Sequence, residues 1–267
     1  MENKEIAKKS TVNALKEMLS IPSVKKNIEE MLKGKSSQFI TSVLNLTSTS
    51  LQGCDPNSVY GAVMKSASLD LSVDPNLGQA WIIPYNTKDG KLAQFQLGYK
   101  GFIQLAKRSG QYVKLNAVPV YEGQFKSFDP LTEDIELDWN GKTSDKVVGF
   151  VGYFKELNGF EKTVYWTAEE MEAHALKYSK NYAKYKKGLW AEDFIKMGRK
   201  TALKLMLSQW GTLSIDMQTA INTDQSIINL NGNEEEIRYI DNEEEKEEAF
   251  DPFTAAIVDA EVVEDAE

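Results

Sequence analysis

A dense cluster of lysines and tyrosines lies between residues 176 and 187, in the segment LKYSKNYAKYKK. This segment holds five lysines, three tyrosines and no acidic residue, although the whole chain has a formal net charge of −9. If it forms one helix, four lysines share a face: Lys177, Lys180, Lys184 and Lys187. Ammonium groups bind phosphates and aromatic rings stack on unpaired bases, so the composition is typical of a single-strand nucleic-acid contact. The alternative is a solvated lysine face beside packed tyrosines.

Two further segments without acidic residues repeat this cationic character. In GYKGFIQLAKRSG, residues 98–110, helical spacing groups four polar side chains: Lys100, Gln104, Lys107 and Arg108. In FIKMGRKTALKLML, residues 194–207, it groups Lys196, Arg199, Lys200 and Lys204. Leu203 and Leu207 fall within that second basic arc, which favours a partly covered groove over open solvent. Like charges this concentrated cost stability unless an anion relieves them, so the segments together predict nonspecific binding of a phosphate backbone.

The acidic residues are concentrated at the C-terminal end of the chain. From Glu234 onward there are 15 acidic residues against Arg238 and Lys246, a net charge of −13. Residues 1–233 hold the other 29 basic and 25 acidic residues, a net charge of +4. This asymmetry predicts a polyanion-binding body and an acidic, disordered tail over residues 230–267. The tail would compete with DNA for the body or recruit a partner; the alternative is a solubilising appendage.

The sequence offers little support for an enzyme. Two Gly-Lys-Ser/Thr triplets lack the glycine that a phosphate-binding loop needs five residues earlier, where Glu29 and Glu136 stand. We therefore expect no ATP use and no required cofactor. A metal nuclease remains an alternative, because it would also explain the basic body. Its usual Glu-x-Lys triplet occurs only outside the predicted sheet, near the two ends of the chain.

Single residues exclude several other kinds of site. His174 is the only histidine and has no cysteine or histidine beside it, so a structural or surface role is favoured over zinc binding. Cys54 is the only cysteine, which excludes a disulfide framework and a thiolate metal site.

No apolar run approaches the roughly 20 residues of a membrane span, and the N-terminus lacks the apolar core of a signal peptide. We therefore expect a cytoplasmic protein with no membrane partner.

Helical periodicity dominates the first 72 residues. Apolar spacing predicts helices over residues 4–19 and 23–33, a third over 36–49, and a fourth that starts at Asp55-Pro56 and runs through residue 71. We expect this N-terminal region, residues 1–72, to serve oligomerisation and to form part of the DNA groove. The apolar stripes of its first two helices either pack against a neighbouring protomer or complete their own core.

Residues 73–229 alternate between strand and helix signals. An Asp-Gly turn predicts a hairpin at residues 80–98, followed by a helix over 99–109 that ends at Gly110. Strand-like segments follow, with turns at Asn140-Gly141 and Asn158-Gly159. Thr167 and Glu170 form a capping box, and a last helix is predicted over residues 190–210, with Gly211 in the C′ position. This order predicts an α+β fold, with a helical N-terminal lobe and a mainly antiparallel sheet packed by helices.

Four segments resemble successive blocks of the RecT family of phage recombinases, in order and in spacing, from about Leu69 to Gly211. They are LSVDPNLGQAWIIPY, FQLGYKGFIQLAKRSG, VVGFVGYF and LWAEDFIKMGRKTALKLML. The Gly-Tyr-Lys-Gly turn before a basic helix is the most specific of these features. The first block departs from the family pattern, since Leu-Ser-Val precedes Asp-Pro where a glycine-leucine pair is more usual.

The resemblance implies an ATP-independent single-strand annealing protein of phage homologous recombination. Such proteins coat single-stranded DNA left by a 5′→3′ exonuclease, form rings or helical filaments, and pair a complementary strand, with host single-strand-binding protein as a further partner. Six backbone contacts are implied by the matching blocks: Lys100, Gln104, Lys107, Arg108, Arg199 and Lys200. Tyr99, Lys196 and Lys204 complete the DNA-binding set, and the lysines of residues 177–187 rest on charge alone. A single-strand-binding protein without annealing activity remains the alternative.

Overall fold

The computed structural model of the chain describes residues 10–88, 90–231 and 234–239, and its N-terminal part is helical. Serine and aspartate side chains cap two of these helices, since Ser10 accepts from Asn13 N and Asp55 accepts from Ser58 N. Proline occupies the first turn of the second and fourth helices, where its missing N–H costs nothing. The helices are α1 (Thr11–Ser20), α2 (Pro22–Leu32), α3 (Ser36–Thr49) and α4 (Pro56–Ser68).

The apolar stripes of α1 and α2 are buried within their own chain. Leu15 and Leu19 of α1, with Ile28 and Leu32 of α2, join the core cluster, and both helices pack on α3 and α4. These four residues are therefore not available to a neighbouring protomer, which supports the second of the two roles considered for the stripes, whereas Met31 of α2 is 39% exposed. The predicted helices are present, although residues 4–9 of the first lie outside the described residues.

A hairpin and a helix follow, as the turn signals predict. Strands β1 (Ala80–Thr87) and β2 (Gly90–Leu97) pair antiparallel in register from Ala80 with Leu97 to Thr87 with Gly90. Helix α5 (Tyr99–Ser109) begins directly after β2. It ends at Gly110, whose φ of 68° lies in the left-handed region that glycine adopts without strain.

The largest sheet has three antiparallel strands, and its middle strand is also the second of the three along the chain. Its strands are β3 (Tyr112–Tyr121), β6 (Val147–Glu156) and β7 (Glu161–Thr167), in the order β3-β6-β7. The Asn158-Gly159 turn joins β6 to β7, as predicted. Two short strands, β4 (Phe125–Phe128) and β5 (Ile135–Leu137), pair only with each other among the described residues. Asn140-Gly141 therefore does not join two strands of one sheet.

The C-terminal half contains more breaks than the sequence predicts. Its helices are α6 (Ala168–Tyr178), α7 (Lys180–Tyr185), α8 (Leu189–Glu192), α9 (Phe194–Trp210) and α10 (Ile215–Thr223). The predicted capping box of Thr167 and Glu170 starts α6. Asp193 interrupts the predicted helix over residues 190–210 and caps α9. Helix α9 ends at Trp210 as predicted, but Gly211 is its C-cap residue, with an extended backbone (φ −79°, ψ 148°), rather than the C′ residue.

A second hairpin occupies the beginning of the predicted disordered tail. Strand β8 (Ile227–Asn231) pairs antiparallel with β9 (Glu234–Arg238), and β8 packs on α4 and β2. The prediction of disorder is therefore wrong for residues 230, 231 and 234–238, and the rest of the predicted tail lies outside the described residues. The α+β class is confirmed, with helices packed on antiparallel sheets. No helix in the described ranges is long and apolar enough to cross a lipid bilayer.

Candidate nucleic-acid interface

Close backbone contacts hold the Gly-Tyr-Lys-Gly turn against the loop that precedes β1. Gly98 N donates to Gln79 O at 2.8 Å. A Cβ atom on Gly98 would lie 2.2 Å from Gly78 O, and one on Gly101 would lie 2.2 Å from Gln79 O. Only glycine allows this approach, because it has no side chain. The two most specific sequence blocks, which are some 20 residues apart, therefore form one site with Lys100 at its edge.

Arg199 joins three elements at the start of α5. Its guanidinium carbon lies 4.5 Å from the ring centroid of Tyr99, within cation–π range. Its Nη2 donates to the Tyr99 hydroxyl at 3.0 Å, and its Nε donates to Ala117 O on β3 at 2.9 Å. The Tyr99 hydroxyl donates in turn to Asn116 Oδ1 at 3.4 Å. These contacts fix the orientation of Arg199 and link α9 to both α5 and β3.

The exposed side of α5 carries Lys100 and Lys107, with Gln104 half-buried between them; we call these three residues the α5 surface. Within the described ranges, no ion pair engages Lys100 or Lys107. Arg108, at the end of the helix, is already occupied. Its Nη2 donates to Leu69 O at 2.5 Å, and its Nη1 lies 3.6 Å from an Asp70 oxygen. Among the described residues, the α5 surface thus offers two ammonium groups without an acidic partner, and one amide, to an anionic ligand.

A groove of about 440 Å³ lies between α3 and α5. Its walls include Lys35 and Gln38 from the N-terminal helices and Gln104 and Arg108 from α5. Lys35 and Arg108 converge on Asp70, with Lys35 Nζ 3.3 Å from a carboxylate oxygen. Asp70 and Asp74 also line the groove, so Lys35 and Arg108 would meet a nucleic-acid backbone only by exchanging Asp70 for a phosphate. The contribution of residues 1–72 to a DNA groove stays a prediction, and this groove is where those helices meet α5.

The structure does not place the α9 basic residues on one open face. Lys200 has only 10% of its side chain exposed, and Lys204 has 28%. Both ammonium groups bind Asp224, at 3.2 Å and 2.8 Å respectively, and Asp224 itself is fully buried. Leu203 and Leu207 are likewise buried, so this side of α9 faces the interior. Lys200 is therefore a structural ion-pair residue in this fold rather than an exposed contact.

Lys196 lies at the exposed end of the same helix. Its side chain is 83% exposed, and its ammonium group pairs with Asp193 at 2.5 Å. Asp193 also accepts a hydrogen bond from Lys196 N, so one carboxylate serves as both helix cap and ion-pair partner. Such an exposed pair is weak and exchanges readily with solvent ions. Lys196 therefore remains accessible to a phosphate, unlike Lys200.

The segment of residues 176–187, which we call the lysine–tyrosine segment, is not one helix. Helix α6 ends at Tyr178, and Ser179, in extended conformation, caps the short α7 by accepting from Tyr182 N. Lys186 adopts a left-handed conformation that ends α7, so Lys187 lies beyond the helix. The prediction that four of these lysines share one helical face is therefore wrong. Lys177, Lys180, Lys184 and Lys187 are nevertheless all exposed.

His174 is packed among aromatic rings on α6. Its ring lies 4.5 Å from that of Tyr178 and 6.4 Å from that of Trp190. Burial, followed by the charges of Lys204 and Lys177, lowers the pKa of His174 from 6.5 to about 4. In the described part of the chain, no group of three or more His, Cys, Asp or Glu side chains is placed to hold a metal ion. The geometry supports a structural role for His174.

Several residues of this region carry no signal in the sequence. Asp224 accepts from the backbone N–H of Leu97 at 2.8 Å, one residue before the Gly-Tyr-Lys-Gly turn, in addition to binding its two lysines. Asp70 and Asn116 similarly bind Arg108 and Tyr99 from other elements. An isolated acidic or amide residue in a polar stretch has no periodicity to reveal such a partner. Only the folded chain identifies these positions.

Comparisons with known proteins show the family to which the chain belongs. The sequence model of the RecT family matches residues 37–248. The chain is 48% identical over 209 residues to the uncharacterized protein YqaK of Bacillus subtilis (strain 168), covering 78% of this chain and 70% of that protein. It is 30% identical over 181 residues to protein RecT of Escherichia coli (strain K12), covering 66% of this chain and 65% of that protein. The chain belongs to the RecT family.

Proposed function

We propose that this protein anneals complementary single strands of DNA without ATP, coats the strand that it binds, and assembles into rings or helical filaments. Membership of the RecT family supports a role in DNA recombination by single-strand annealing in general. One observation supports the finer proposal best. The α5 surface presents Lys100 and Lys107 without acidic partners in the described ranges, on a helix anchored through Gly98 and Gly101.

The chemistry of annealing suits such a surface. No covalent bond breaks when two strands pair, so the protein needs only to neutralise phosphates, hold one strand extended, and release the product. Ammonium groups without carboxylate partners displace the counterions condensed on DNA, and that release provides sequence-independent affinity. The backbone contacts in this proposal are Lys100, Gln104, Lys107, Arg108, Lys196 and Arg199. Lys200 and Lys204 act on DNA only indirectly, through the position of α9.

The proposed partners follow from the same function. A filament needs further copies of this chain, and a resected strand needs a 5′→3′ exonuclease to produce it. Host single-strand-binding protein would compete for that strand or deliver it. We propose that the protein acts in the cytoplasm, where these partners and the DNA meet. The paired strands themselves, as an annealed duplex intermediate, are the product that the protein must release.

The experiment that tests this function mixes two complementary oligonucleotides that carry a fluorescence donor and acceptor. We expect the wild-type protein to accelerate pairing in the absence of nucleotide, and the Lys100→Met, Lys107→Met double variant to lose most of that acceleration. A matched control replaces Lys16 and Lys25, which are exposed on α1 and α2, and should anneal normally. Binding without acceleration would instead identify a plain single-strand-binding protein, and strand cleavage with magnesium would identify a nuclease.

A further inference from the structure

Two exposed tyrosines distinguish the lysine–tyrosine segment from an ordinary charged surface. Tyr178 is 44% exposed and Tyr185 is 58% exposed, whereas Tyr182 between them is buried. An exposed aromatic ring offers a stacking face to an unpaired base, and such stacking does not depend on base identity. The segment therefore combines two partly exposed rings, of which Tyr178 also contacts His174 at 4.5 Å, with an internal anchor.

Each exposed ring has a lysine over it. Lys177 Nζ lies 5.4 Å from the centroid of Tyr178, and Lys184 Nζ lies 5.3 Å from that of Tyr185. Neither lysine takes part in an ion pair within the described residues. The same Lys-Tyr unit thus occurs twice, once on each side of the break at Ser179. A ring beside a free ammonium group matches one nucleotide, with its base on the ring and its phosphate on the cation.

The backbone of the segment is held in place by one carboxylate. Glu172 on α6 accepts from the Tyr182 hydroxyl at 3.3 Å and from Lys186 Nζ at 3.1 Å. Lys186 thereby neutralises the Glu172 carboxylate. Both units are fixed by this anchor, and neither contributes a group to it. Within the described residues, Lys177 and Lys184 have no acidic partner, and the exposed parts of Tyr178 and Tyr185 are available to a ligand.

We propose that the lysine–tyrosine segment captures the second, incoming DNA strand, while the α5 surface retains the first. This proposal rests on the annealing function proposed above. The two surfaces lie on different helices, since α7 packs on α6 whereas α5 packs on α9 and β3. Their chemistry also differs: the α5 surface offers cations and an amide, and the segment offers stacking rings with cations.

The assignment of one strand to each surface follows from what annealing requires. The first strand must stay bound with its bases available, which favours backbone contacts such as Lys100 and Lys107. The incoming strand must be held briefly and then lose its contacts as its bases pair. A base stacked on Tyr178 or Tyr185 leaves that ring when it enters the new duplex. Two isolated stacking units are suited to such transient capture, because each contact is weak and is replaced by pairing.

The test uses the full chain loaded with one labelled oligonucleotide, to which the complementary oligonucleotide is then added. The Tyr178→Ala, Tyr185→Ala double variant should bind the first strand within about twofold of wild type, yet anneal about tenfold or more slowly, as expected for loss of two stacking contacts. The matched Tyr178→Phe, Tyr185→Phe variant keeps both rings and should anneal like wild type. Both side chains are exposed, so thermal unfolding should confirm that both variants fold.

A second readout locates each strand directly. A photoreactive base is placed in either the first or the added strand, and crosslinks to Tyr178 and Tyr185 are compared. We expect crosslinks to Tyr178 and Tyr185 from the photoreactive base in the added strand. If the Ala variant loses first-strand affinity and annealing rate equally, both strands use one continuous site. That result would overturn the assignment of the two strands to two surfaces. Unchanged binding and annealing would show an ordinary surface. If wild-type protein fails to accelerate pairing, the annealing function itself is wrong, and the wild-type sample separates that result from the others.

Discussion

The carboxylate of Asp224 and the ammonium group of Lys200 form an ion pair of 3.2 Å in the protein interior. Asp224 also binds Lys204 and accepts from Leu97 N, so one buried carboxylate connects α9 to the end of β2. Burial alone would raise the pKa of Asp224, but the two lysines and the Leu97 hydrogen bond outweigh it and hold the pKa below its ordinary value. The Gly-Tyr-Lys-Gly turn begins one residue after Leu97. Asp224 therefore positions the start of α5 relative to α9.

Removal of the Asp224 charge should destabilise the protein strongly. In Asp224→Asn, two largely buried ammonium groups lose their only carboxylate partner within the described residues, and breaking such a pair costs about 3–5 kcal/mol. Urea unfolding measures this loss. The matched control is Asp145→Asn, which breaks an exposed pair with Lys142 and should lower the stability far less, because solvent screens that pair. Similar small losses in both variants would contradict the buried network.

The salt dependence of DNA binding should separate exposed from buried lysines. Four to six phosphate contacts per protomer predict a slope of log affinity against log salt of roughly −3 to −4, at about −0.7 per contact on a single strand. Lys100→Met and Lys107→Met should each reduce the slope by about 0.7. Lys200→Met should leave it nearly unchanged, because Lys200 is buried. Fluorescence anisotropy over a salt series checks this, and an equal effect of Lys200→Met would restore it as a direct contact.

Mild acid should destabilise the protein through His174. Its folded-state pKa is about 4, below the ordinary 6.5, so protonation favours the unfolded chain and stability falls as the pH drops from 6.5 towards 4. Between pH 7 and pH 5 the loss should be about 2 kcal/mol. The His174→Gln variant should lose this part of the pH dependence. Urea unfolding at both pH values measures the difference, and the same pH dependence in both proteins would show that another group is responsible.

The acidic end of the chain should weaken DNA binding at low salt. Residues 240–267 contain 12 acidic residues and one lysine, Lys246. A tethered polyanion reaches a high local concentration at a cationic surface and competes with DNA there. Because β9 pairs with β8, the informative truncation ends at Tyr239 rather than near Asn233. This variant should bind single strands more tightly, by a margin that shrinks as salt screens the charges. Equal affinity at every salt concentration would leave only recruitment or solubility as roles for the tail.

Local signals in the sequence predict several elements well. The Asp-Gly turn predicts the β1–β2 hairpin, Gly110 ends α5, and the capping box of Thr167 and Glu170 starts α6. Each of these features depends on residues a few positions apart, whose backbone preferences act within one turn or helix end. The family resemblance rests on such blocks as well. These features are therefore determined by the sequence without reference to distant parts of the chain.

Which lysines reach solvent was decided only by the tertiary structure. Helical spacing treats Lys196 and Lys200 alike, since both lie in a segment of α9 without acidic residues. The fold brings Asp224, 24 residues further along the chain, against Lys200 and leaves Lys196 exposed. In the same way, β5 pairs with β4 rather than β6, although its alternation suits either partner. Burial and pairing depend on what other elements place beside a residue, and one element's own pattern contains no information about that neighbour.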